Sequence, residues 1–197
     1  MITLIFESIF FLLASCIILF SIVGYGNFLI YKSNNNFFEK IFLGIIVITF
    51  LVTLIHFFLK ISFYIAVGLL FIGLILFFKN YKSFLIKPYK SNLSYLIIFL
   101  ILLPIYMSQK YHEDFGYYHL PYVITTIEEK IIFGLANSNS AYAHNSIWLN
   151  TISLFSLPKN NFNFLTLPSY LIYNLFIIFS LKNILKSNNQ KISNYFL

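Results

Sequence analysis

Long apolar runs constrain the fold of this chain more than any other sequence feature. The first extends from Ile2 to Val23, with Glu7 as its only charged residue, and a second extends from Ile41 to Phe78. A transmembrane helix needs about 20 apolar residues to cross a hydrocarbon core of roughly 30 Å. The second run would be about 57 Å long as a single helix. It therefore predicts two helices with a tight turn near Lys60.

The composition excludes several soluble classes. Hydrophobic residues form 59% of the chain and charged residues 10%, against about 45–50% and about 25% in soluble domains. Dehydrogenases of the nucleotide-binding fold, zinc-finger proteins and disulfide-stapled secreted domains do not fit. The single cysteine, Cys16, lies within the first apolar run, so there is no disulfide framework. The net charge of +7 comes from lysines in short segments between apolar runs, which does not indicate a nucleic-acid-binding face.

The sequence predicts an all-α, multi-pass transmembrane protein of about five spans. Four spans occupy residues 1–107, the fifth lies within residues 164–197 together with a tail, and residues 108–163 form a long loop with interfacial helices between spans four and five. An unstructured loop of that length is uncommon and usually functional. The predicted spans cover about residues 2–23, 41–59, 61–78, 93–107 and 164–181.

Lysine placement predicts the orientation in the membrane. Cytoplasmic loops of membrane proteins are enriched in lysine and arginine. Nine of the lysines lie in three segments, residues 32–40, 79–90 and 182–191. We place these three segments in the cytoplasm. The N-terminus, Lys60 and the long loop are then extracytoplasmic and the C-terminus is cytoplasmic. We expect the chain in the cytoplasmic (inner) membrane of a bacterium.

Two amphipathic helices are predicted in the long loop. Pro121 suits the first turn of a helix, and Ile124, Ile127 and Ile131 recur at helical spacing with polar residues between them. This pattern predicts a helix over about 121–133 that lies in the membrane interface and stops at Gly134. A second helix is predicted over about 143–157.

Several motifs of the loop share their order and spacing with a known family. They resemble the N-terminal part of the GT-C superfamily of integral-membrane glycosyltransferases, in particular bacterial members of unknown specificity. The resemblance covers about a quarter of the chain. Its residues are Asp114, Tyr118-His119-Leu120-Pro121, Gly134-Leu135-Ala136-Asn137 and Asn145-Ser146-Ile147-Trp148.

The resemblance implies transfer of a sugar from a polyprenyl-phosphate carrier to an extracytoplasmic acceptor. Asp114 would be the general base that takes the proton of the acceptor hydroxyl, with Glu113 beside it. No metal or cofactor is assigned, and the implied partners are the lipid bilayer and the polyprenyl-phosphate-linked sugar. The remaining motif residues would bind substrate: Tyr118, His119, Asn137, Asn145 and Trp148.

The sequence also departs from the superfamily pattern. Ser140, Ala141 and Tyr142 stand where the resemblance implies an arginine, and the chain contains no arginine. Members of the superfamily have more spans. We therefore expect that the chain corresponds to an incomplete or N-terminal portion, inactive alone, that works with downstream membrane segments or a partner subunit.

Other interpretations of the same residues stay open. Glu113 and Asp114 could be solvated loop charges. Asp114 with His112, His119 and His144 could form a divalent-metal site, although the spacing matches no template. The chain could also be a non-enzymatic component of a glycan export or flipping system, or an inactive remnant of the enzyme.

Overall fold

Every element in the described part of the chain is helical, which confirms the all-α class. The structure is a computed structural model and describes residues 2–30, 37–79, 92–107, 113–138, 140, 146–155 and 162–195. A π-helical turn, Phe115–His119, precedes α5, and a 3-10 turn, Phe162–Thr166, precedes α8. The α-helices are α1 Ile2–Leu29, α2 Phe37–His56, α3 Phe63–Lys79, α4 Asn92–Met107, α5 Leu120–Glu128, α6 Leu135–Ser138, α7 Ile147–Phe155 and α8 Leu167–Tyr195.

Among the residues that the structure describes, three helical segments are long and apolar enough to cross a membrane: Phe6–Leu29, Phe37–His56 and Phe164–Ile184. The apolar helices Phe63–Lys79 and Ile97–Tyr106 are shorter. Large apolar side chains cover the outer surface of these helices, as on α2, where Phe42 and Phe50 are 60% and 65% exposed. An outer surface this apolar suits lipid rather than water. The architecture is that of a membrane protein with three candidate spans.

Glycines bring α1 into backbone contact with both α2 and α3. A Cβ added at Gly24 would overlap the carbonyl oxygen of Gly73 in α3, and one added at Gly44 in α2 would overlap the carbonyl oxygen of Ile22. Helices approach this closely only where small residues face each other. The glycines therefore place α1 at the centre of the first three helices.

The order of the close contacts gives the helix directions. Gly26 meets Lys40 and Ile22 meets Gly44, so α1 and α2 run antiparallel. The break between α2 and α3 covers residues 57–62, at the turn expected near Lys60. After it, α3 runs parallel to α1. The beginning of α1 and residues 57–62 consequently lie at one end of the bundle, which we call the turn end.

Tyr170 joins α8 to α1 and α4. It is fully buried, its hydroxyl donates a hydrogen bond to the carbonyl oxygen of Phe99, and its ring meets Phe11 and Tyr106 edge-on. At the other end of the bundle, Phe179 of α8 packs on Phe38 at the start of α2. Thus α8 begins near the turn end and runs away from it.

The first loop helix ends earlier than predicted. We expected it to continue to Phe133, whereas α5 ends at Glu128 and Glu129 is extended, with φ −128° and ψ 157°. The reason is a distant partner, because the N–H of Ile131 donates to the carbonyl oxygen of His56 at 3.0 Å. Ile131 therefore does not belong to the apolar face of the helix.

The face of α5 that contacts protein also differs from the predicted apolar face. Val123 and Thr126 are buried against the rest of the chain, whereas Ile124 is 40% exposed. Val123 and Thr126 therefore make the contacts with the protein, whereas Ile124 of the predicted apolar face points to the outside of the bundle.

The second loop helix, which we expected to be amphipathic, packs inside the bundle. Its described part is α7, Ile147–Phe155, in which six residues are buried. The hydroxyl of Thr151 donates to that of Thr49 at 3.0 Å, and Thr49 lies well inside α2. Buried polar side chains need partners within the protein, and α2 supplies one. The ends of the predicted 143–157 helix, like the lysines at 82, 87 and 90, lie outside the described residues.

Candidate functional site

The two acids of the candidate site begin the first helical segment of the long loop. Glu113 and Asp114 are helical and lead directly into the π-helical turn of residues 115–119. Glu113 is exposed and Asp114 is partly exposed. The Asp114 carboxylate does not cap the turn that follows it. Hence the local helix geometry gives this carboxylate no structural role as a cap.

One anchor of this acid-bearing segment, residues 113–128, is Phe115. The Phe115 side chain packs against a small apolar cluster of Val123 in α5, Leu149 in α7 and Leu165. Leu165 directly precedes α8, and its neighbour Phe164 packs on Phe11 near the start of α1. Asp114 is therefore held next to a residue that packs where α8 begins.

The second anchor ties the other end of the segment to the α2–α3 turn. The N–H of Ile61 donates to the carbonyl oxygen of Thr126 at 3.0 Å, and the bond from Ile131 to His56 follows directly. Backbone hydrogen bonds shielded from water fix the relative position of two elements. The acid-bearing segment is thus attached to the turn end of the bundle at both of its ends.

Four of the predicted site residues share this segment. Tyr118 and His119 lie on the π-helical turn after the acids, with ring centroids 4.2 Å apart at an interplanar angle of 73°. Both are partly exposed. Turns of π-helix are rare and often mark functional sites. The structure therefore brings Glu113, Asp114, Tyr118 and His119 together on one short stretch.

Trp148 lies elsewhere. It lines a cavity of ≈ 10 Å³ inside the bundle together with Ile45 and Ile48, which lie at the middle of α2. A cavity of that size holds at most a single water molecule. Trp148 therefore packs among helix side chains beside the middle of α2, and its predicted role in substrate binding stays a prediction.

The remaining predicted residues lie on α6 or outside the described part of the chain. Asn137 is exposed on α6, where its N–H donates to the carbonyl oxygen of Gly134 at 2.8 Å. Gly134 has φ +81°, so it makes a tight turn there that favours glycine. Asn145 lies outside the described residues, as do His112 and His144. Among the residues that the structure describes, no three His, Cys, Asp or Glu side chains gather as metal ligands would.

Polar side chains of α7 were missed by the sequence analysis. Asn150, Thr151 and Ser153 are each at most 2% exposed. Ser153 donates to the carbonyl oxygen of Leu149, while the side-chain oxygen of Asn150 has no hydrogen-bond partner within the described structure. The available signal was their close spacing within a short apolar helix, a pattern typical of a helix buried among others.

A larger cavity lies between the end of α2, α5 and α6, and we call it the α5–α6 cavity. Its volume is ≈ 290 Å³. None of the acids of the candidate site lines it. Its polar lining consists of His56, Tyr122, Thr125, Thr126 and Lys130, and its other lining residues are Phe57 and residues 131–136.

Comparison with known proteins places nearly the whole chain in a family. A family model with the description "Domain of unknown function (DUF8201)" matches residues 3–197. No curated protein matches the chain. No solved structure matches it either.

Proposed function

Because the chain belongs to the DUF8201 family, a family of unknown function, we propose its activity from its own residues. We propose a GT-C-like membrane glycosyltransferase that moves a sugar from a polyprenyl-phosphate carrier to an extracytoplasmic acceptor. Asp114 is the general base in this proposal. Glu113 is its neighbour, and Tyr118 and His119 contact the substrate.

The observation that carries the proposal is the double attachment of the acid-bearing segment. Phe115 packs on the apolar cluster that includes Leu165, directly before α8, and the carbonyl oxygen of Thr126 accepts a hydrogen bond from Ile61 in the α2–α3 turn. Both anchors lie at the turn end of a bundle whose outer surface is apolar. A carboxylate held there sits near the depth of lipid headgroups, where a carrier's phosphate and a water-soluble acceptor can meet.

The chemistry requires one base at this position. The oxygen of the acceptor hydroxyl attacks the anomeric carbon while the bond from that carbon to the phosphate oxygen breaks, and its electron pair leaves with the phosphate. The hydroxyl proton passes to the Asp114 carboxylate. A carboxylate is a weak base, but it can accept this proton late, when the bond to phosphate is already breaking.

The helix directions support the proposed sidedness. The start of α1, the exposed Lys60 and the acid-bearing segment all belong to the turn end. Placing that end outside agrees with the positive-inside rule. In the proposal α3 and α4 also cross the inner membrane, which gives five spans, an outer N-terminus and a cytoplasmic C-terminus.

Membrane vesicles from cells that express the chain with its native neighbours provide the test. Transfer of a radiolabelled sugar from carrier to acceptor is measured for the natural chain, Asp114→Asn and Glu113→Gln at matched expression. Asp114→Asn keeps the shape of the side chain and removes its basicity, so transfer should fall about 10²–10⁴-fold. Glu113→Gln, one residue away, is the matched control and should retain most of the rate.

Two results would oppose the proposal. Natural rates in both single variants and in the double variant would leave the acids as solvated charges. The variants could instead transfer sugar at the natural rate while less glycan reaches the outside of the cells that express them. That result would favour a component of an export or flipping system.

A further inference from the structure

Hydrogen-bonding side chains line part of the α5–α6 cavity, and the charged one among them is Lys130. Lys130 provides an ammonium, and Tyr122 provides a phenol that is protonated at neutral pH and whose pKa burial raises further. No carboxylate lines the cavity, because the exposed Glu128 and Glu129 that precede Lys130 are not part of its wall. The lining is therefore suited to an anion.

His56 supplies a second, independent observation. It is only 5% exposed, and its Nδ1 has no hydrogen-bond partner in the described part of the chain. An unpaired buried nitrogen is costly and calls for an explanation, such as a ligand. His56 also ends α2, a candidate span, which places the cavity at the edge of the apolar region.

The edge of the cavity is apolar. Ile132 is 45% exposed and Phe133 is 81% exposed, and Phe57 also belongs to the wall. The volume of ≈ 290 Å³ is close to the lower limit of ligand sites, about 300 Å³. That volume suits a compact headgroup, and the exposed apolar side chains suit a tail that continues into lipid.

We propose that the α5–α6 cavity binds the headgroup of an anionic amphiphile of the phosphate monoester type. Lys130 pairs with its charge, the Tyr122 hydroxyl donates to a phosphate oxygen, and Nδ1 of His56 accepts from the protonated phosphate oxygen. This is a second site, separate from Glu113 and Asp114, and it does not depend on the proposed transfer reaction.

Binding is tested with the full chain purified in a nonionic detergent. The probe is dihexanoyl phosphatidic acid, compared with dihexanoyl phosphatidylcholine and with inorganic phosphate, and affinity is measured by titration calorimetry. Lys130→Gln should weaken phosphatidic acid binding about 10- to 100-fold, the value of one charge-assisted hydrogen bond. Lys60→Gln is the matched control, because Lys60 is exposed at the same end of the bundle but does not line the cavity.

Tyr122→Phe provides a second variant that keeps the ring and should weaken binding several-fold. Inorganic phosphate bound as tightly as phosphatidic acid, and lost in Lys130→Gln, would support the anion site with the free ion as its ligand. Equal affinity for phosphatidylcholine, or an unchanged affinity in Lys130→Gln, would overturn the proposal. Since no sugar transfer is measured, this result is independent of the test on Asp114.

Discussion

The backbone N–H of Ile61 donates to the carbonyl oxygen of Thr126 at 3.0 Å. This hydrogen bond joins the turn between two apolar helices to a helix of the long loop, and the two residues are 65 positions apart in the sequence. It places the acid-bearing segment at a defined end of the bundle.

Replacement of Gly73 by alanine should destabilise the bundle. A Cβ at this position would overlap Ser21 of α1, including its backbone, and overpacking of this kind costs about 1–3 kcal/mol. Gly68→Ala in the same helix is the control, since nothing lies within 4 Å of its Cβ position. It should be neutral or slightly stabilising, because alanine favours the helix. Thermal unfolding in detergent measures both, and equal midpoints would argue against the close α1–α3 contact.

Tyr170→Phe should lower stability by about 0.5–1.5 kcal/mol, the net value of one hydrogen bond. The variant keeps the ring among its aromatic neighbours and removes only the donor to the carbonyl oxygen of Phe99. Tyr173→Phe, three residues later, is the control, because Tyr173 is 50% exposed. The free energy of unfolding of the two variants should differ in detergent. A larger loss in Tyr173→Phe would contradict the described joint between α4 and α8.

The proposed sidedness predicts the behaviour of reporter fusions. A reporter that is active only outside the cytoplasm should be active when fused after Lys130 and silent when fused after Lys87. Lysine-rich segments remain on the cytoplasmic side, and Lys87 lies in such a segment. A fusion after Lys60 is a second outer position, tied to the first by the bond between Ile61 and Thr126. The opposite pattern would reverse the orientation and remove the acids from the outer surface.

Cysteine labelling tests how α5 meets the membrane. In a Cys16→Ser background, a cysteine at Glu128 should react quickly with a water-soluble thiol reagent in bilayers and in detergent. A cysteine at Ile124 should react slowly in bilayers, because this position is exposed on the protein surface and the interfacial helix predicted from the sequence turns it toward lipid. The control is Val123, which is 3% exposed and should be protected in both environments. Fast labelling at 124 in bilayers would show that this face of α5 meets water.

The sequence alone determined where the apolar helices lie and that the protein is all-α. The break near Lys60 followed from length, because a 38-residue run is far longer than a bilayer requires. These features depend on local composition and on the fixed rise of a helix, so they can be derived without knowledge of partners. The adjacency of Glu113, Asp114, Tyr118 and His119 was likewise set by their proximity along the chain.

Only the tertiary structure decided where the loop helices end and what they contact. The end of α5 at Glu128 depends on the carbonyl of His56, and the insertion of α7 depends on a hydrogen bond between Thr151 and Thr49, 102 residues apart. Trp148, a predicted substrate-binding residue, lines a small gap beside α2, a position that the sequence did not indicate. The periodicity of a segment shows that one face is apolar, but lipid, water and a neighbouring helix can each satisfy such a face. The choice among them is made by partners that are distant in sequence, through backbone groups that every residue carries.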